Sequence, residues 1–128
     1  MNAVRRLTRA EIAVWGVQLA LACLYGFTGF MKATQPIEVL TQMMGWPGAM
    51  PGLTRFIGFA ELAGAVGLIL PAATGIMPRL TPLAAAGLAV IQLLAIPFHL
   101  YRGEFGIVPV NLILLGLAVF VLRRRWTA

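Results

Sequence analysis

Four stretches of the chain run apolar for the length of a helix, and the polar residues within them recur at helical spacing. Residues 11–32, 54–71, 82–101 and 106–123 are each long enough, or nearly so, for the ~20 apolar residues that cross a hydrocarbon core. The pattern predicts an all-α, integral membrane bundle of four transmembrane helices, one domain over residues 1–128. The connection between the first two spans is too rich in Pro and Gly to cross anything, but it has room for a short interfacial helix. Pro36 suits its first position, Glu38 its first turn, and Ile37, Leu40 and Met44 share one side. Trp46 behind them suits the aromatic belt. Pro71 is expected to close the second span, Pro82 to open the third, and Pro97 to kink it near its end.

The polar positions share faces. Gln18, Tyr25 and Lys32 stand seven apart on the first span, with Thr28 and Gly29 between. On the second, Gly58, Glu61, Gly64, Ala65 and Leu68 form a face of small residues around a single carboxylate. Gln92 and His99 are seven apart on the third, and Glu104 and Asn111 seven apart at the start of the fourth. Small residues let membrane helices approach closely. An ionisable residue in such a span is costly and asks for a partner, which makes Glu61 the leading candidate for function.

Composition sharpens the class. Hydrophobic residues make up 60%, charged residues only 11%, and mean hydropathy is +0.89, far outside soluble usage. The net charge of +6 is not a nucleic-acid footprint, because the arginines flank apolar segments and no basic face is interleaved with aromatics. Cys23 is the single cysteine, so neither an intrachain disulfide nor dithiol chemistry is available. One histidine and no aspartate point to no metal site and exclude bis-His haem ligation within a monomer. No phosphate loop or nucleophile motif is present, and no cofactor is implied.

Four spans place both termini on one side. Arg5, Arg6, Arg9, Arg79 and Arg123–Arg125 then face Lys32, Arg55 and Arg102 across the membrane. The positive-inside rule makes the richer side, and both termini, cytoplasmic. At 1.5 Å per residue, Glu61 lies roughly 9 Å deeper than Arg55, and Tyr25, Gln92 and Asn111 each roughly 10 Å below Lys32, His99 and Glu104. Four polar side chains on four helices thus reach one depth beneath a charged rim. That is the pattern of a ligand pocket in a bundle, opening toward the outer leaflet. The competing reading is polar glue, amides and hydroxyls that only join helices; glue does not require a buried carboxylate.

The expected occupant is a lipophilic small molecule, quinone- or isoprenoid-like, with at least one polar group. Tyr25, Gln92 and Asn111 would orient it, with Glu104 on the rim, while Lys32, Arg55 and His99 set the charge of Glu61. Glu61 and His99 are the candidate catalytic pair, suited to proton transfer such as isomerisation or ring opening. Lys32 has a simpler alternative, snorkelling to the headgroups. The rival class is an accessory protein that assembles another membrane complex, or a homo-oligomer, through exposed small residues such as Gly87 or Gly116.

The runs RFIGFAELAGAVGLILP and LAAAGLAVIQLLAIPFHLYRGE, with GFTGFMK ending the first span, resemble the DoxX-like family of small bacterial membrane proteins. The likeness implies a four-helix membrane bundle in the bacterial inner membrane. Its implications for activity are broader: quinone-linked membrane chemistry, or an accessory role in a respiratory or redox complex. It transfers no catalytic residue to this chain.

Overall fold

The computed structural model describes residues 7–126, so Arg5 and Arg6 of the basic arm lie outside the described residues. Five α-helices follow in order: α1 (Arg9–Thr34), α2 (Ile37–Met44), α3 (Pro51–Thr74), α4 (Leu80–Tyr101) and α5 (Val108–Trp126). Single 3-10 turns at Pro47–Ala49 and Phe105–Ile107 lead into α3 and α5. Among the described residues there is no strand. Segments Arg9–Thr34, Pro51–Thr74, Leu80–Tyr101 and Phe105–Trp126 are long and apolar enough to cross a membrane. The helices overrun the expected spans by a few residues at most ends, where their terminal turns continue past the hydrocarbon-length core. Thr8, for example, caps α1 by accepting the Glu11 backbone N–H at 3.1 Å.

The long helices are apolar all round, since each has neighbours on one side and a lipid-like exterior on the other. Phe27, Phe56, Phe59, Leu94 and Ile113 are exposed. The interior holds Leu21, Tyr25, Ala65, Leu68, Ala85, Leu88 and Val121. Most of the polar positions singled out by spacing point inward too: Gln18, Tyr25, Glu61, Gln92 and Asn111 are all buried.

Close packing rests on small residues. A Cβ at Gly58 of α3 would lie 2.6 Å from the Ala33 nitrogen of α1, and one at Gly29 would lie 2.8 Å from the Gly58 carbonyl oxygen. The two backbones therefore touch. Between α3 and α4, Gly64 makes room for Leu88 and Gly67 for Ala84. Van der Waals contact of this kind replaces the hydrophobic drive that lipid removes.

Pro71 does not end its helix. α3 continues to Thr74 and stops at Gly75 in the left-handed region, φ 71°. A proline deprives the carbonyl four residues earlier of its donor, and here that carbonyl belongs to Gly67. The Thr81 hydroxyl donates to it at 2.8 Å from the start of α4. The substitution Thr81→Val keeps the shape and removes the donor. It is expected to cost about 1–3 kcal/mol, the penalty of a buried orphan carbonyl, read as a lower unfolding midpoint in detergent. Pro97 likewise lies within an unbroken α4.

The interfacial helix is present as α2, with Glu38 in its first turn and Leu40 buried, but Pro36 is its cap rather than its first residue. Trp46 is not an outward belt residue. It is buried with its ring edge-on to Phe98 of α4, centroids 5.7 Å apart. The connection therefore folds back across the end of the bundle where α1 finishes and α3 begins.

Candidate functional site

Glu61 has found its partner on the neighbouring helix. Lys32 Nζ donates to both carboxylate oxygens at 3.1 and 3.2 Å, and the Thr28 hydroxyl donates to one of them at 3.2 Å. The Glu61 side chain is 3% exposed and that of Lys32 14%. The contact exists because Gly29 and Gly58 bring α1 and α3 together, and because Thr28 and Lys32 stand one turn apart facing α3. Lys32 accordingly does not snorkel. A lysine four residues beyond a threonine, opposite the sole acid of a small-residue face, was the signal for this cluster.

A second polar group spans three helices. Gln92 Nε2 of α4 donates to the Tyr25 hydroxyl of α1 at 2.7 Å. Asn111 Nδ2 of α5 donates to Gln92 Oε1 at 2.6 Å. Tyr25 stands three residues before Thr28 on α1, so the two groups adjoin along that helix. Asn111 Oδ1 is buried and has no hydrogen-bond partner. Turning both amides over reverses the chain and leaves Asn111 open through its nitrogen instead. In either sense one edge of this amide is unmatched within the protein.

The remaining expected members stand apart. Arg55 does not act on the Glu61 charge as a direct partner. Its Nη1 donates to the carbonyls of Lys32 at 3.0 Å and Gln35 at 2.6 Å, closing the end of α1. His99 is directed to Glu104, Nδ1 to Oε1 at 2.9 Å, rather than to Glu61, and Arg102 joins the same oxygen at 3.3 Å. The reason is local: the tight turn after α4 returns Glu104 beneath His99, with Gly103 at positive φ. The acid and base expected to act together thus belong to separate clusters. A backbone position in the α2 connection, Gly45, lies beside Glu104, a Cβ there meeting its Oε2 at 3.4 Å.

The opposite end of the bundle carries a network that residue spacing did not reveal. Arg125 Nε donates to Gln18 Oε1 at 2.7 Å, and its Nη1 to both Glu11 oxygens at 3.2 Å. Its guanidinium stacks over Trp15 at 5.1 Å, and Gln18 Nε2 donates to the Leu68 carbonyl at 2.6 Å. This latch joins α1, α3 and α5 and holds both described ends of the chain at one face of the bundle. Gln18 belongs to it, and not to the cluster around Tyr25.

The model of the DoxX-like family matches residues 16–121. No curated protein and no solved structure matches the chain. The matched segment contains both intramembrane clusters and the His99–Glu104 turn.

Proposed function

We propose that this chain, which belongs to the DoxX-like family, binds a lipophilic small molecule inside its helix bundle through Tyr25, Gln92 and Asn111. One observation carries the reading: the unmatched amide edge of Asn111, buried beside a chain of satisfied neighbours. A buried orphan costs about 1–3 kcal/mol, and within a membrane no bulk water relieves it. A ligand oxygen, a quinone carbonyl or an isoprenoid hydroxyl, meets that edge in one amide orientation or the other. Its apolar body belongs among the aliphatic side chains around it.

The Glu61–Lys32–Thr28 cluster lies next to this chain and gives the site its charge. Glu61 is the group there that can take a proton from a bound molecule or return it, with Lys32 stabilising the carboxylate. Isomerisation or ring opening of the ligand is the chemistry that such a group serves. Both clusters stand nearer the end that carries Lys32, Arg55 and Arg102 than the end that carries Arg9, Arg79 and Arg123–Arg125. On the positive-inside rule the former is the outer end and the termini are cytoplasmic; the bacterial inner membrane is what the family resemblance implies.

A melting assay in detergent tests the binding. Added short-chain quinone or farnesol should raise the wild-type midpoint, the linkage at a hundredfold excess over Kd being about 2.7 kcal/mol. The shift should vanish in Asn111→Leu, whose midpoint without ligand reports its own folding. A shift retained in that variant rejects the site. No shift with either compound in wild type favours the accessory role.

A further inference from the structure

We infer that Lys32 is a nucleophile that captures lipophilic aldehydes as a protonated imine, with Glu61 as its proton acceptor and counter-ion. Of the ten lysines and arginines in the chain, nine are arginine, and Lys32 is the only lysine. Arginine suits a fixed ion pair, since its planar guanidinium engages carboxylate oxygens in a rigid fork and keeps its proton. The chain uses it in that way at the opposite end of the bundle, where Arg125 Nη1 reaches both oxygens of Glu11. Glu61 is given instead the cation whose neutral form, a primary amine, attacks a carbonyl carbon.

The geometry supplies what imine formation needs. Lys32 Nζ lies 3.1 and 3.2 Å from the two Glu61 oxygens, so the carboxylate can take the ammonium proton across a hydrogen bond it already accepts. The Thr28 hydroxyl donates to the same carboxylate at 3.2 Å and holds it in place when the nitrogen turns to the substrate. Lys32 is 14% exposed and Glu61 only 3%, so an incoming carbonyl meets the amine first. The amine adds to the aldehyde carbon, and the surplus proton on nitrogen passes to the new oxygen to give a carbinolamine. Glu61 then returns its proton to that hydroxyl, the C–O bond breaks and water leaves. The product is a protonated C=N bond beside the Glu61 carboxylate, formed with release of one water and with no oxidant or reductant. The aldehyde must be lipophilic, because both residues lie on spanning helices, α1 and α3. Phe27 and Phe30, between Tyr25 and Lys32, and Phe56 and Phe59, between Arg55 and Glu61, are exposed on the same two helices. They offer an isoprenoid or polyene chain an aromatic surface.

The test labels the full chain in detergent with farnesal and excess sodium cyanoborohydride, which fixes an imine as a stable secondary amine. Intact mass should show one adduct per chain, and peptide mapping should place it on Lys32 rather than on the α-amino terminus. Glu61→Gln separates a nucleophile from a mere ion pair by the sign of its effect. A salt bridge that only masks the amine would, once removed, let labelling run faster. Loss of the proton acceptor should instead slow labelling of Lys32 roughly a hundredfold, the lower end for general acid–base catalysis. Lys32→Arg, which keeps a cation for Glu61, should carry no adduct within α1. The capture does not rest on the Asn111 edge, and Asn111→Leu should label like wild type. Labelling of wild type confined to the α-amino terminus, or faster labelling of Lys32 in Glu61→Gln, would overturn the proposal. The first of these outcomes needs no variant, so it decides even where a substitution weakens the fold.

Discussion

Lys32→Met is expected to destabilise the bundle by about 3–5 kcal/mol, the range for a buried pair that loses one member. The effect is large because Glu61 is 3% exposed and two of its three hydrogen bonds come from that ammonium. Thr28 alone would be left to hold the carboxylate. Removing both charges, as in Lys32→Met/Glu61→Gln, should recover most of the loss, since a neutral amide keeps the Thr28 contact. A double-mutant cycle on unfolding midpoints isolates the coupling. Additive losses would mean that the two residues do not stabilise one another.

Gly58→Leu should cost roughly 3 kcal/mol, the upper end of overpacking, and Gly58→Ala somewhat less. The first added carbon would sit 2.6 Å from one backbone atom of α1 and 2.8 Å from another, and backbone cannot turn aside. The helices must separate, which also draws Lys32 away from Glu61. Gly87 is the control: it is exposed on α4 and a Cβ there meets nothing within 4 Å. Gly87→Ala should be neutral or stabilising by about 0.5–1 kcal/mol from helix propensity. Equal effects at the two glycines, read from melting midpoints, would contradict the close α1–α3 contact.

Much of the architecture was legible in residue order. Spanning length and hydropathy locate the four long helices, and three-and-four spacing picks out buried Tyr25, Glu61, Gln92 and Asn111. Rise per residue places them at one depth. Which of them pair depends on the rotation of each helix, and a one-dimensional pattern holds no such information; hence Arg55 on carbonyls and His99 on Glu104. The Pro71 rule failed for a related reason: it counts the lost hydrogen bond but not the Thr81 hydroxyl that replaces it from the next helix. Arg125 looked like membrane-flanking charge, because its partners Glu11 and Gln18 are more than a hundred residues away in sequence. Trp46 carries the residue type of the interface, yet the folded-back connection buries it on Phe98.

Binding inside the bundle rests on the Asn111 edge, which stays open at the end of a hydrogen-bonded chain through Gln92 to Tyr25. Native mass spectrometry of the purified protein, wild type beside Asn111→Leu, with bound lipids identified in parallel, reads its role directly. The expected result is one small lipophilic species, held at one per chain by wild type and absent from the variant. Heterogeneous bulk lipid, the same on both proteins, would contradict a ligand site in the bundle and leave the polar cluster as helix-joining structure.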